Sequence, residues 1–472
     1  MTLVHSDNSN TSLQQNQLGM ICAWVLLAVL SFQAGQAFGV GLLMVPCSYA
    51  LLQLSVSRSW RRVFYPLLLV GLLFYSPQLG FFWTIFGPGA CILWLLLAVW
   101  IPVFGLLLHL SSRWFAHAWL LVLAPVLWTG LEYFRSEVYA LRFTWLTLGS
   151  SFWATPGLAR GIGVYGMGFG CMSVAALLVV GIKQRKFSPV ALGTAVVVGL
   201  YLVYRAGHGG EQGESRLVTS LQVTGLQMEF PSESAVLSGL DRVIKVHPET
   251  QLVVLSEYSF SGSVPPAVRQ WCRQHKRFLV AGGTKPTAGS KYYNMAYVIG
   301  PTGKVEFEQA KSRPIQFFKD GMPAEQRRVW HSPWGAIGIL ICFDLSYAQV
   351  TDDFVKENAR LLLVPTMDVR GWGAQEHELN RRTAPLRAAE YGIPIFRLGS
   401  SGISQIVDRN GVVTASAPFP GQGKIIHGNI LMSATPHLPL DRFLAPLCAG
   451  ATLLFILWVM GDGVVRYRKR GR

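Results

Sequence analysis

Cys342 ends an apolar run, Ala336 to Ile341 (AIGILI), and is followed by Phe343-Asp344-Leu345-Ser346-Tyr347. A cysteine that leaves a buried strand for a turn or helix lies beside exposed backbone N–H groups. Those amides lower a thiol pKa and can later hold an oxyanion. Glu257 ends a second such run, Gln251 to Ser256 (QLVVLS), and Lys311 follows the strand-like Lys304 to Gln309 (KVEFEQ). Taken singly, each has an ordinary explanation: a packed small residue for the cysteine, a solvated strand end for the glutamate and the lysine. Taken together, they are three reactive side chains at the ends of three strands, which converge at one edge of an α/β sheet, where sites tend to form.

The elements around them fit that placement. Gln251 to Leu255, Phe278 to Ala281 (FLVA), Ala336 to Ile341 and Leu361 to Val364 (LLLV) read as buried strands. Pro265 to His275 and Gln375 to Glu390 carry helical patterning, and the turn Gly300-Pro301-Thr302-Gly303 separates further strands. Strand alternating with helix predicts a layered α/β domain over 216–434.

The rest of the chain has another texture. Of 472 residues, 51% are hydrophobic and only 14% charged, where soluble domains carry roughly 25% charged residues. Apolar stretches able to span a bilayer, or nearly so, lie at about 18–33, 36–56, 64–83, 88–110, 117–134, 163–182, 188–205 and 442–461. The predicted architecture is therefore a multi-span α-helical membrane domain of about eight transmembrane helices plus an α/β domain. Its parts are a polar tail at 1–17, a membrane domain of about seven spans at 18–210, the α/β domain, a final span at 442–461 and a basic tail at 462–472. The hinge between the first two spans is expected from Gln33 to Gln36, and the tail's lack of a basic start marks a retained helix rather than a cleaved signal.

The net charge of +16 is used for topology. Arg58, Arg61 and Arg62, then Arg113, then Lys183, Arg185 and Lys186, then Arg466, Arg468, Lys469, Arg470 and Arg472 all fall on one side if each span crosses once. The positive-inside rule makes that side cytoplasmic, so the α/β domain faces outward, into the periplasm of a Gram-negative cell. Basic residues at span ends do not form the folded basic face that nucleic acid needs. A transporter is disfavoured by the scarcity of ionisable groups inside the spans; Glu132 and Arg135, spaced i, i+3, are expected to pair with each other. Seven cysteines show no metal-binding spacing. Only Cys272 and Cys342 lie in the polar region, and the setting of Cys342 predicts a free thiol.

The polar region resembles the nitrilase superfamily. Tyr293-Asn294, Pro301-Thr302-Gly303-Lys304 and the lead into Lys311 are similar to the segment before that family's lysine, and Ile341-Cys342-Phe343-Asp344 to its nucleophile elbow. Arg387-Ala388-Ala389-Glu390, Gly392-Ile393-Pro394 and Gly399 to Ser404 (GSSGIS) resemble the stretch that packs beneath the site. In the membrane part, Leu131 to Arg135 (LEYFR), Phe143 to Leu146 (FTWL), Thr155-Pro156 and Gly163 to Gly166 (GVYG) resemble the apolipoprotein N-acyltransferase branch. The resemblance implies a nitrilase-like αββα sandwich with a Glu257, Lys311, Cys342 triad. It implies Glu257 as general base, Cys342 as nucleophile on a phospholipid ester, normally phosphatidylethanolamine, and Lys311 with the Phe343 amide at the oxyanion. The acyl group would pass from a thioester to the α-amine of a diacylglyceryl-modified lipoprotein, with no metal or nucleotide cofactor. Inner-membrane location follows, and a monomer is the default. Trp145, Phe152 and Trp153 are candidates for a lipid access route.

The resemblance fails at the mouth of the site. The family's loop glutamate falls on Lys319, with Asp320 beside it; Asp344 stands for a glutamate; Leu255-Ser256-Glu257 replaces Trp-Pro-Glu; and Asp368 to His377 differs in length and content. A diverged member is expected, the alternative being a membrane-bound amidase or N-acyltransferase acting on another amine or amide. Gly262 and Gly321 lie in loops that could act as lids.

Overall fold

A computed structural model of the chain describes residues 5–57, 59–184, 219–433 and 436–470. Its N-terminal part is helical: α1 (His5–Phe38), α2 (Met44–Ser55), α3 (Trp60–Gln78), the short α4 (Phe81–Phe86) and α5 (Gly89–Ala98). Then follow α6 (Trp100–Ser111), α7 (Leu120–Tyr133) and α8 (Gly163–Gln184). Among the described residues, four helical stretches are long and apolar enough to cross a membrane: Gln17–Phe38, Gly89–Ser111 (α5 with α6), Gly163–Ile182 and Asp441–Asp462. The expected span at 188–205 lies outside the described residues.

Two expectations are corrected here. No break occurs at Gln33 to Gln36; α1 runs back to His5 through much of the polar tail and ends at Phe38. The reason is local. Gly39 takes φ +70°, and a Cβ there would meet that of Ala154 at 2.4 Å, so glycine rather than glutamine ends the helix. The glutamines act as staples instead: Gln33 Nε2 donates to the Leu73 carbonyl at 2.6 Å and Gln36 Nε2 to that of Thr147 at 2.9 Å.

The second part begins with β1 (Ser220–Leu226), α9 (Glu233–Val246), β2 (Leu252–Leu255), α10 (Pro266–His275), β3 (Phe278–Pro286), β4 (Tyr292–Ile299) and β5 (Val305–Ala310). It continues with β6 (Trp330–Ser332), β7 (Gly335–Ile339), α11 (Ala348–Lys356), β8 (Leu361–Thr366), α12 (Ala374–Asn380) and α13 (Thr383–Tyr391). Strands β9 (Ile395–Gly399), β10 (Ser404–Val407), β11 (Val413–Ala417) and β12 (Ile425–Leu431) complete it before the long α14 (Asp441–Arg470), which continues through the expected basic tail.

The strands form two six-stranded sheets, ordered β12-β1-β2-β3-β4-β5 and β11-β10-β9-β8-β7-β6. Each has a parallel centre, β1-β2-β3 in one and β7-β8-β9 in the other. Parallel strands covered on both faces read as unbroken apolar runs, and every residue of β2 and β8 is buried. Val223, Val254, Val280, Ile339, Leu363 and Phe396 fill the space between the sheets. Leu240, Val243, Val268 and Trp271 of α9 and α10 cover the outer face of the first sheet, and Val350, Phe354, Ala388 and Tyr391 of α11 and α13 that of the second. The layering is αββα.

The single helix expected over Gln375 to Glu390 is two. Pro385 has no N–H for the turn before it and its ring crowds the carbonyl four residues back, so α12 stops at Asn380 and α13 restarts at Thr383.

Candidate active site

Each member of the trio stands just past a strand: Glu257 after β2, Lys311 directly after β5, Cys342 after β7. The backbone is unusual at two of these exits. Tyr258, next to Glu257, has φ +55°, and Cys342 itself has φ +55°. A left-handed residue with a side chain costs on the order of 1–2 kcal/mol and persists only where its surroundings impose it. At Cys342 the restraint is Asp344. Its carboxylate accepts from the backbone N–H of Ile341 at 3.2 Å, Ser312 at 2.9 Å and Arg313 at 2.7 Å, tying the turn at Cys342 to the segment after Lys311. At Glu257 the neighbouring strand must come close: a Cβ on Gly282 would lie 2.5 Å from the Glu257 Cα.

The Lys311 ammonium donates to Glu257 Oε1 at 2.8 Å and lies 2.7 Å from Asp320 Oδ2. Asn294 Nδ2 bridges the same two carboxylates, at 2.6 Å to Glu257 and 2.9 Å to Asp320. The other Glu257 oxygen accepts from the Met367 N–H at 2.8 Å, and the Cys342 thiol lies 3.9 Å from the Met367 carbonyl. One backbone residue therefore touches both Glu257 and the thiol. All seven cysteines, Cys342 included, are free thiols.

Burial works against every charge in this group. It raises the Glu257 carboxyl, which Lys311 pulls back down and Asp320 pushes up again. It raises the Cys342 thiol well above the usual value, with Glu257 adding to the effect and Lys311 opposing it. For Lys311 burial acts downward, but the negative charges of Glu257, Cys342 and Asp320 hold the ammonium well above its ordinary value. Two carboxylates thus share one ammonium beside a neutral thiol. Such a set can take up a proton at Glu257 while Lys311 keeps its charge.

The loop after Lys311 resolves one ambiguity. Lys319 is exposed and offers only its carbonyl, to the Tyr292 hydroxyl at 2.5 Å. Asp320, only 5% exposed, turns inward; besides Lys311 it accepts from the Tyr258 hydroxyl at 2.9 Å and the Ile315 N–H at 2.8 Å. Asn294, Tyr258, Met367 and Gly282 were not singled out as site residues from sequence. Asn294 alone left a signal, in the Tyr293-Asn294 pair that resembles the segment before the nitrilase lysine.

A cavity of about 140 Å³, open to solvent, leads to Cys342. Its walls include Phe81, Phe86, Leu97 and Trp100 of the helical part, Phe343, and Phe317 and Phe318 of the loop after Lys311. Trp145 belongs to this wall: its ring meets that of Phe343 at 5.3 Å and its Nε1 donates to Ser346 Oγ at 3.0 Å. Trp153 does not line it. Its Nε1 donates to the Gln36 carbonyl at 2.9 Å, and Arg381 and Arg382 lie over its ring. Phe152 is buried in the helical core.

Charged residues of both parts hold the turn from below. Glu137 accepts from the Ala348 N–H at 2.9 Å, where α11 begins, and Arg387 donates to the Leu345 and Ser346 carbonyls at 3.2 and 2.7 Å. The expected Glu132–Arg135 pair is corrected: Glu132 accepts from the Leu148 N–H at 2.9 Å, while Arg135 donates to the Tyr75 hydroxyl and, at 3.4 Å, to the Trp145 carbonyl. Each finds a backbone or phenol partner across the helix packing, which an i, i+3 rule cannot see. Two groups of possible metal donors occur among the described residues. In His247, Glu249 and His427 the imidazoles are stacked 4.1 Å apart, which keeps their lone pairs from meeting at one ion; in Asp368, Glu376 and His377 the Arg397 guanidinium already neutralises Asp368.

Two family models match the chain in tandem: the apolipoprotein N-acyltransferase N-terminal domain over residues 25–177 and carbon-nitrogen hydrolase over residues 245–433. An apolipoprotein N-acyltransferase of Geobacter metallireducens is 24% identical over 365 residues, 66% of this chain and 68% of that protein. Another, of Shewanella oneidensis, is 25% identical over 382 residues, 70% of this chain and 73% of that protein. A carbon-nitrogen hydrolase structure from Helicobacter pylori is 18% identical and covers 45% of this chain and 89% of that one, with a TM-score of 0.40. With both parts matched in this order, and with relatives that span most of both, the chain is a diverged member of the apolipoprotein N-acyltransferase family, in the membrane-bound branch of the nitrilase superfamily.

Proposed function

We propose that this chain moves a fatty acyl group from a membrane phospholipid, through a thioester on Cys342, to the N-terminal α-amine of a diacylglyceryl-modified apolipoprotein. The observation that carries the reading is the cavity: its walls are mostly apolar side chains, from the helical part and from the loop after Lys311, and Cys342 lines it. A hydrolase of small amides has no need of it. An acyl chain does, at about 0.8 kcal/mol for each methylene kept from water.

In the first half-reaction Glu257 takes the thiol proton as Sγ bonds to the ester carbonyl carbon. Lys311 and the Phe343 amide stabilise the tetrahedral oxyanion. The C–O bond then breaks, Glu257 returns the proton to the departing alkoxide, and a lysophospholipid leaves. In the second half the acceptor amine adds to the thioester, its proton passes to Glu257, and the C–S bond breaks to regenerate the thiol. Asp320 supplies the second carboxylate, in place of the family's loop glutamate. Eight spans, a periplasmic catalytic domain in the bacterial inner membrane and a monomeric state complete the proposal; the bacterial relatives and four long apolar helices support membrane residence.

The test is transfer. Purified protein given phosphatidylethanolamine and a diacylated lipopeptide should yield lipopeptide heavier by one acyl chain, and Cys342→Ala none. A second reading, an amidase or an acyltransferase for another amine, draws on the 25% identity over 122 residues to an omega-amidase of Xenopus laevis. Unmodified lipopeptide alongside released acyl amide from a small amine would favour it.

A further inference from the structure

Arg142 lies between α7 and α8 and lines the cavity that ends at Cys342. Its Nε is buried without a hydrogen-bond partner, and so is that of Arg313, two residues past Lys311. Among the described residues neither joins an ion pair, whereas the nearby Arg327 is paired with Asp353. The two guanidiniums are close enough that burial first, then the charges of Arg142 and Arg327, hold Arg313 below its ordinary value. Glu137, the carboxylate that Arg313 senses, is already engaged by the Ala348 N–H and by the Tyr165 hydroxyl at 3.1 Å. Gln316 Nε2 reaches the Ala140 carbonyl at 3.5 Å, joining the two segments that carry these arginines.

Two half-buried cations that repel each other, with donors unused, are costly unless an anion arrives. We infer that Arg142 and Arg313 form a phosphate subsite that seats the headgroup phosphodiester of the acyl donor while its chain lies in the cavity and its ester meets Cys342. The guanidinium fork matches phosphate oxygens, which an ammonium cannot do in the same way. A glycerophospholipid joins one apolar chain, one ester and one phosphate through glycerol, and the apolar wall, Cys342 and Arg142 bound one cavity. The inference rests on the phospholipid-donor reading and specifies which part of the donor this chain recognises.

The test compares acylation of Cys342, by intact mass, from phosphatidylethanolamine, from diacylglycerol with the same chains, and from a p-nitrophenyl acyl ester that reports a folded, reactive site. Wild type should prefer the phospholipid to diacylglycerol by roughly tenfold or more, the worth of a charge-assisted hydrogen bond. Arg142→Gln should bring that ratio towards one, Arg313→Gln should lower it less, and Arg142→Lys should retain part of it. An unchanged ratio in the Arg142→Gln and Arg313→Gln proteins, with the p-nitrophenyl ester still reacting, would overturn the subsite and leave the donor reading standing. Labelling by the p-nitrophenyl ester but by no phospholipid would overturn both. Millimolar inorganic phosphate separates the sources: weak competition in wild type supports a lipid headgroup, and inhibition as strong as that by a short-chain phospholipid would make this a free-phosphate site instead.

Discussion

Two buried ionic groups, built from similar side chains, behave in opposite ways. Around Lys311, Glu257 and Asp320 share one cation, and the Glu257 carboxyl is pushed up, first by burial. Around Arg442, Glu390 is bonded to two cations: Arg387, and Arg442 at 2.9 Å. Burial acts upward there as well, but Arg387 and Arg442 outweigh it and the Glu390 carboxyl is held down. Arg442 also reaches Asp352 at 2.7 Å and Asp441 at 2.8 Å, so this group joins α11, α13 and α14. The number of cations touching each carboxylate separates the two: Glu257, which shares one ammonium with Asp320, is pushed towards the protonated form, and Glu390, held by two guanidiniums, is kept ionised.

The comparison can be broken at either end. The largest effect belongs to the reactive group: Glu257→Gln should lower thioester formation by roughly 10²–10⁴-fold, the range of a general base, measured by rapid-quench mass analysis. Glu390→Gln should do the reverse. It leaves Arg387 and Arg442 short of a buried partner, at about 3–5 kcal/mol of stability, read by thermal unfolding in detergent, with turnover per folded molecule changed little. Because the Glu390 pKa is lowered on folding, its contribution is present above the unfolded-state pKa and lost as pH falls through the folded one. The variant should therefore lose less stability on acidification than wild type.

Asp320→Asn sharpens the contrast by removing the second carboxylate. As the proposed base, Glu257 must be ionised to act, and its raised pKa should set the acid limb of the rate above the ordinary carboxylate range of roughly 4. Asp320 contributes to that rise, so the variant's acid limb should move to lower pH in a pH–rate profile. The smallest effect is on selectivity. Ile85→Trp in the cavity wall should shift preference to chains shorter by a few methylenes, at about 0.8 kcal/mol each, in a competition between donors of mixed length.

What could be read from the sequence was local. Glu257 and Cys342 stand where apolar runs stop and Lys311 where a strand-like run does, and the alternation of such runs with helices gives a layered α/β domain; the αββα order comes from the family resemblance. The inward turn of Asp320 depends on a loop in which Phe317 takes φ +69°, a conformation that neighbouring residue types do not announce. Partners such as Asn294 and the Met367 N–H come from strands and loops distant in sequence. The Glu132 and Arg135 partnerships fail from sequence for the same reason, since they form across the packing of separate helices.

The most direct measurement is intact mass, with peptide mapping, of the protein alone after exposure to phosphatidylethanolamine in detergent. The account predicts one acyl chain on Cys342, released by neutral hydroxylamine and absent from Cys342→Ala. A protein that stays unmodified while still turning over the donor, or an adduct on any other residue, would contradict it.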